Sequence, residues 1–320
     1  MIEEKLIGKD NQQQRVLPSA LLSDDTGLRL WSQITHLPNY YQTRDEIELL
    51  EYHGAEIARH ILPGSTIIDL GCGDVRKIKP LLDVIEAIQT PIRYFALDLS
   101  RQALEECMRQ LESSYRFVSC FGLWGSFDDA LRWSAHVSSP RWFLSLGSIF
   151  GNDWLEPAVA RLATWARAMR PQDRMLLGMD ARECRQQIWD SYHDEEGLFK
   201  RFIRNGMYHA NRVMDCEWYR DEDWEVEGVM MEEPIMHRFV IRAVRDVGSE
   251  KLGVRFAKGD EIDCYEAFKY DPAIMHGQFE KVGLMELAIF KAPASPIYEY
   301  LLSVPPSAVP TNGSGVNFIS

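Results

Sequence analysis

The 320-residue chain lacks several things whose absence narrows its function. It has no Cys-x-x-Cys pair; Cys72, Cys107, Cys120, Cys184, Cys216 and Cys264 stand far apart, which removes a zinc ribbon or a dithiol redox motif. Such scattered thiols suit small buried apolar positions and a reducing compartment. His36, His53, His60, His193, His209 and His237 show no metal-ligand spacing, so each reads as structural or surface and no metal is expected. There is no uncharged apolar run long enough for a membrane-spanning helix. Met1-Ile2-Glu3-Glu4-Lys5 does not read as a signal peptide, so a cytosolic protein with no membrane partner is expected. Basic charge is also short. Against 48 acidic side chains there are 35 basic ones, a net charge of -13, which withholds the basic footprint of a nucleic-acid binder. The 46% hydrophobic and 26% charged residues support an ordinary core, in one large domain or two smaller ones.

What is present begins with Ile67-Ile68-Asp69-Leu70-Gly71-Cys72-Gly73, a buried strand running into a glycine turn. About 25 residues on, Tyr94-Phe95-Ala96-Leu97-Asp98 reads as a second buried strand ending in an acid. A nucleotide-like ligand can lie across two such tips, with the glycines allowing close backbone approach and the acid accepting from ribose hydroxyls. A third glycine, which a dinucleotide fingerprint needs, is missing; Asp74-Val75-Arg76-Lys77 follows instead, a poor cradle for pyrophosphate. Asp-x-Gly-x-Gly with a downstream acid resembles the S-adenosyl-L-methionine site of class I methyltransferases.

Strands are expected at 66–71, 92–98, 116–121, 142–147 and 173–179, with helices near 77–88, 101–112, 127–135, 154–169 and 181–203. Such alternation implies a parallel sheet with crossover helices. Thr43 and Glu46 read as the capping box of a helix running to about Ile61. Beyond residue 205 the pattern changes to an antiparallel insertion. It contains a strand over 235–244 with His237, Phe239, Ile241 and Ala243 on one face, and another at 251–257 after a Gly248-Ser249 turn. A helix at 272–282 and strands at 284–291 and 297–303 follow. Residues 1–16 are expected to be loose, and the Pro/Ser/Gly-rich tail 304–320 disordered.

Three further motifs are Ile34-Thr35-His36-Leu37-Pro38-Asn39-Tyr40-Tyr41-Gln42-Thr43-Arg44, Leu146-Gly147-Ser148-Ile149-Phe150-Gly151-Asn152 and Phe268-Lys269-Tyr270. With them the chain resembles, from about Leu17 to Leu302, the ergothioneine-pathway histidine N-methyltransferases. It also resembles their fungal relatives that methylate dimethylallyltryptophan in ergot alkaloid assembly. The resemblance implies an α/β class I (Rossmann-like) methyltransferase domain, 45–182 plus 268–303. It also implies a discontinuous α+β substrate-binding domain, 1–44 plus 183–267, in a monomer.

By the same resemblance, Asp69, Gly71 and Gly73 form the cofactor turn, Lys77 contacts the carboxylate end of S-adenosyl-L-methionine, and Asp98 holds its ribose. Gly125-Ser126-Phe127 takes the adenine position, where bacterial relatives carry Gly-Asp-Phe; Ser126 or nearby Asp128 then serves the adenine amino group. Tyr40 and Asn152 orient the substrate amine, and Tyr192 with the Gly147 region binds its carboxylate. Tyr40, Asn152 and Tyr192 are thus the catalytic candidates. The acid and hydroxyl that read imidazole fall here on Tyr265 and Ala267, with Glu266 one place out of register and facing the opposite side of a strand unless a bulge intervenes. A pocket methionine corresponds to Phe239 and an N-terminal tyrosine to Ser23. A site without partners for imidazole disfavours histidine, so a small-molecule amino acid with a larger aromatic side chain is expected, N-methylated on its α-amino group. A histidine acceptor in a repacked pocket and a non-catalytic cofactor-binding partner are the alternatives. The reaction is an in-line displacement governed by proximity and orientation.

Overall fold

In the computed structural model, residues 15–73, 75–111 and 114–306 are described. Strands β1 (Thr66–Leu70), β2 (Ile92–Asp98), β3 (Val118–Trp124), β4 (Arg141–Ser145) and β5 (Arg174–Asp180) build the parallel part of a seven-stranded sheet. Its order is β11-β12-β5-β4-β1-β2-β3, with β12 (Ile297–Ser303) inserted antiparallel beside β5 and β11 (Met285–Lys291) antiparallel at the edge. This is the class I methyltransferase arrangement, and the strand order reverses between β1 and β4, so the ligand crevice lies at their C-terminal tips.

Both faces of this sheet are covered, which is why β1 and β4 are buried along their whole length instead of at alternate residues. On one face Ile67, Tyr94, Ala96, Trp142 and Leu176 pack under α2 (Tyr41–Ala58), α3 (Lys79–Ala87) and α4 (Arg101–Leu111). On the other, Ile68, Leu70, Phe143, Met175 and Leu177 meet α5 (Phe127–Ser134), α6 (Leu155–Ala168) and α9 (Pro272–Val282).

A third apolar cluster lies outside this sheet. It joins Leu17, Ile34 and Tyr40 to α7 (Arg185–Tyr192), α8 (Leu198–Val213) and a three-stranded antiparallel sheet, β10-β7-β6. Those strands are β6 (Trp224–Glu232), β7 (Ile235–Ala243) and β10 (Glu261–Phe268). A small hairpin pairs β8 (Val247–Ser249) with β9 (Val254–Phe256). Helix α1 (Asp25–Ile34) is capped by Asp24, which accepts from Gly27 N at 2.8 Å and from Asn205 Nδ2 of α8 at 2.6 Å.

Several expectations are corrected. The helix expected over 181–203 is two helices, interrupted where Gly197 takes φ +68° as the N-cap of α8. Gly248 and Ser249 lie in a strand, not a turn. Helix α2 starts at Tyr41 without a side-chain cap, so Thr43 and Glu46 form no capping box; both are buried, and Glu46 serves the site described below. Arg15 and Val16 are not loose: Asp263 N donates to Arg15 O at 2.9 Å, and Val16 bridges to Asp263. Residues 1–14 and 307–320 of the two expected loose ends lie outside the described residues.

Candidate functional site

The glycine turn is stitched to β2. Gly71 and Cys72 N–H both donate to Leu97 O at 3.0 Å, and Gly73 N–H donates to Asp98 Oδ2 at 3.2 Å. Gly71 and Gly73 hold φ of +74° and +57°, which a side chain would strain. A Cβ on Gly73 would meet nothing within 4 Å, so the space above it is open. Asp98 Oδ1 accepts from Ser100 N at 2.9 Å; burial raises its pKa, and these backbone donors pull it back. The Phe127 ring covers Gly71, where an added Cβ would sit 3.6 Å from it, and stands edge-on to Phe150 at 5.6 Å. Ser126 caps α5: its Oγ donates to Asp129 Oδ2 at 2.7 Å and accepts from Asp129 N at 3.2 Å. That leaves its oxygen one lone pair for a ligand. Asp128, on the same first turn, is exposed.

Asp69 is not at the mouth of this turn. It is buried beneath it, accepts from Tyr94 Oη at 2.8 Å, and burial pushes its pKa up to about 6. Lys77 reaches back under the strand tips to Glu46, with Nζ 3.2 Å from Oε2. Glu46 Oε1 accepts from Gly147 N at 2.5 Å, and a Cβ on Gly147 would lie 2.6 Å from Lys77 Nζ. The Gly147 amide is therefore bonded to Glu46. Glu299 of β12 meets Glu46 over Gly178, where an added Cβ would be 2.6 Å from a carboxyl oxygen of each. Burial and the Glu46 charge push the Glu299 pKa well up, so it keeps its proton beside the Glu46 carboxylate.

A polar chain leads from β5 into the third apolar cluster. Asp180 Oδ2 accepts from Tyr41 Oη at 2.6 Å and from Lys269 Nζ at 2.8 Å. Lys269 Nζ also donates to Tyr192 Oη at 3.0 Å, and Gln42 Nε2 donates to the same oxygen at 3.1 Å. With both lone pairs occupied, Tyr192 has only its own proton to offer, and burial raises its pKa well above 10 so that the proton stays. Tyr40 packs against Trp31, Phe199 and Tyr192 at 5.8, 5.9 and 6.2 Å, and its hydroxyl has no hydrogen-bond partner among the described residues. Its pKa too is raised, first by burial. Asn152 Oδ1 accepts from Phe268 N at 2.7 Å, which orients the amide and leaves Nδ2 and one Oδ1 lone pair free.

Tyr265 and Ala267 share the inner face of β10. Tyr265 is in register with Phe239 and Ala267 with His237, and the bulge falls before Tyr265. Glu266 therefore stays on the opposite face, accepting from Trp154 Nε1 at 3.0 Å. Phe239 stacks on Phe199 at 5.6 Å, while Tyr265 lies 6.0 Å from Trp31 and 6.3 Å from Tyr192. Ser23 follows the short 3-10 turn Ser19–Leu22, on the edge of this cluster.

The structure thus gathers Gly71, Gly73, Asp98 and Phe127 at one set of strand tips. Lys77 and Gly147 are beside them, and Tyr40, Tyr192, Phe239, Tyr265 and Ala267 form an aromatic box beyond. Sequence reading missed Glu46, Glu299, Gln42, Asp180 and His237 as site residues, because their partners are remote in sequence; Gln42 and Lys269 had a signal, their places in the Ile34–Arg44 and Phe268-Lys269-Tyr270 motifs. Among the described residues no group of three or more metal-ligating side chains converges, and no helix is long and apolar enough to cross a membrane. The strand tips fit S-adenosyl-L-methionine: an open space over Gly73 with a carboxylate beside it suits an adenosine, and a lysine shielded by Glu46 suits a ligand without phosphate.

Comparison with known proteins agrees. The model of the histidine-specific, S-adenosylmethionine-dependent methyltransferase family matches residues 2–304. The chain is 34% identical over 279 residues to ergothioneine biosynthesis protein 1 of Neurospora crassa, covering 86% of this chain and 32% of that protein. It is 33% identical over 300 residues to 4-dimethylallyltryptophan N-methyltransferase of Claviceps purpurea, covering 84% and 85%. It is 28% identical over 271 residues to histidine N-alpha-methyltransferase of Mycobacterium tuberculosis, covering 84% of each. The chain spans about a third of the length of the ergothioneine biosynthesis proteins it matches. With nearly its whole length inside the family model, the chain belongs to the histidine-specific, S-adenosylmethionine-dependent methyltransferases.

Proposed function

We propose that the protein transfers a methyl group from S-adenosyl-L-methionine to the α-amino group of an aromatic, tryptophan-like amino acid, including prenylated forms. The observation that carries this reading is the row of Tyr265 and Ala267 on β10 beside Phe239 and His237 on β7, with Glu266 turned away to Trp154. Tyr265 and Ala267 offer this face an aromatic ring and a methyl group, and no acid to meet an imidazolium.

In this reading 45–182 with 268–303 binds the methyl donor, and 1–44 with 183–267 binds the acceptor, within one cytosolic monomer. All six cysteines are free, in keeping with a reducing compartment. Gly71, Gly73 and Asp98 hold the adenosine, Phe127 flanks its base, Lys77 lies at the amino-acid end, and Asp69 supports the turn from beneath. The bound donor supplies an electrophilic methyl on a cationic sulfur. Tyr192 donates a hydrogen bond to the acceptor carboxylate, held there by Lys269 and Gln42. The free lone pair of Asn152 Oδ1 and the Tyr40 hydroxyl oxygen accept the amine N–H groups, which turns the nitrogen lone pair toward the methyl. Tyr40 and Tyr192 both retain their protons, so neither is a base, and the amine enters as its neutral form.

The test is a panel of tryptophan, dimethylallyltryptophan, tyrosine and histidine, incubated with S-adenosyl-L-methionine and read by mass spectrometry. Methylation of the indole acceptors with histidine inert is expected. Histidine as the sole methylated acceptor overturns the reading, and tight binding of S-adenosylhomocysteine without turnover of any acceptor replaces it with a non-catalytic role.

A further inference from the structure

His237 is fully buried on β7, and neither of its ring nitrogens has a hydrogen-bond partner among the described residues. Buried polar side chains in folded proteins are almost always bonded, so a ring left this way marks a place where another group completes the bonding. Its surroundings belong to the acceptor box. The ring stacks on Tyr192 at 4.5 Å and 14°, meets Phe239 edge-on at 4.7 Å, and stands across from Ala267. Side chains in register on neighbouring strands project side by side, so His237 and Ala267 are neighbours on one face of the sheet. Burial, reinforced by His193 and Lys269, pushes the His237 pKa down to about 2, which makes the ring neutral.

The neighbouring histidine biases its tautomer. His193 Nδ1 lies 2.8 Å from Trp189 O, and a carbonyl only accepts, so His193 carries its hydrogen on Nδ1 and a bare lone pair on Nε2. A Cβ on Gly228 would be 2.3 Å from His193 Nε2 and 2.9 Å from His237 Nε2, so the two nitrogens converge over one point of β6. A bare nitrogen there favours the hydrogen on His237 Nε2, which leaves Nδ1 as a free acceptor. Phe239 and Ala267 have no polar side-chain atoms; the competing acceptors among the described residues are the Tyr265 and Tyr40 hydroxyls and the unpaired Gln42 Oε1.

We propose that His237 reads the acceptor's ring, its Nδ1 accepting a hydrogen bond from the N–H of an indole. This rests on the aromatic-acceptor reading above and narrows it to rings that carry a hydrogen-bond donor. A ring without that donor leaves the buried nitrogen unpaired and is disfavoured.

The test compares initial rates on tryptophan and on 3-benzothienylalanine, whose sulfur replaces the N–H at nearly the same size. Wild type should prefer tryptophan by roughly 10- to 100-fold in kcat/KM. His237→Phe should bring the two substrates within about threefold of each other. Tyr265→Phe should lower both rates together and keep the preference. Equal rates on the two substrates with the wild-type protein overturn the proposal without any variant, so a variant that fails to fold does not shelter it. A preference that survives His237→Phe, or one that vanishes in Tyr265→Phe alone, also overturns it. If wild type methylates no aromatic amino acid, the broader reading falls as well, an outcome distinct from equal methylation of both.

Discussion

Tyr192 accepts from Lys269: Nζ lies 3.0 Å from the phenol oxygen, and the same Nζ is 2.8 Å from Asp180 Oδ2. The tyrosine is thereby turned into a donor aimed away from its own network. Tyr192→Phe removes that donor and little volume. The KM for the amino acid should rise roughly 10- to 100-fold, as for a hydrogen bond to a charged group, with S-adenosylhomocysteine affinity unchanged. Steady-state kinetics and calorimetry check it; an unchanged KM removes Tyr192 from the carboxylate site.

The glycine turn separates folding from ligand binding. Gly73→Ala meets no neighbour, so its structural cost is the left-handed backbone alone, roughly 1–2 kcal/mol. Gly71→Ala adds pressure on Ile149 and Phe127, at 3.3 and 3.6 Å. Both variants should lose most affinity for S-adenosylhomocysteine, with Gly71→Ala melting lower. Retained affinity in Gly73→Ala places the cofactor elsewhere.

Glu299 ties stability to pH. Its folded pKa lies above its ordinary value of 4.5, so the folded state binds that proton more tightly than the unfolded chain. Its favourable contribution is complete below about pH 4.5 and is lost as pH rises through the folded value. Glu299→Gln keeps a donor toward Glu46 and removes the titration. The variant should melt a few degrees above wild type at pH 8, and the gap should close toward pH 4. A variant less stable than wild type at pH 8 means that Glu299 is ionised in the folded protein.

The acceptor must arrive as a free amine. Tyr40, Tyr192 and Tyr265 stay protonated and His237 stays neutral through neutral pH, so none of them titrates there. At saturating S-adenosylmethionine, log kcat/KM for the acceptor should climb with unit slope from pH 6 to 8, toward the pKa of the amine. A plateau beginning near pH 6.5 would reveal a base in the site.

The sheet was legible because period and spacing carry it. Apolar runs such as Ile67–Leu70 and Trp142–Leu146 announce strands covered on both sides, and Gly71-x-Gly73 announces the turn. Helix α9 and the closing hairpin lie where the pattern put them. The break at Gly197 was missed because apolar spacing continues across it from α7 to α8. The Thr43/Glu46 box was a misreading of the same kind: the residues satisfy the local rule, but Glu46 is taken by Lys77 and the Gly147 amide.

By itself, the amino-acid sequence determined the sheet and the glycine turn with Asp98 beside it. These depend on neighbours in the chain or on residue type alone. Only the tertiary structure decided that Glu46, Glu299 and Lys77 share one buried cluster, that Lys269 and Gln42 turn Tyr192 into a donor, and that His237 is left without a partner. Hydrogen bonds and burial between segments up to some 250 residues apart set those roles, and no local pattern encodes which distant group will arrive.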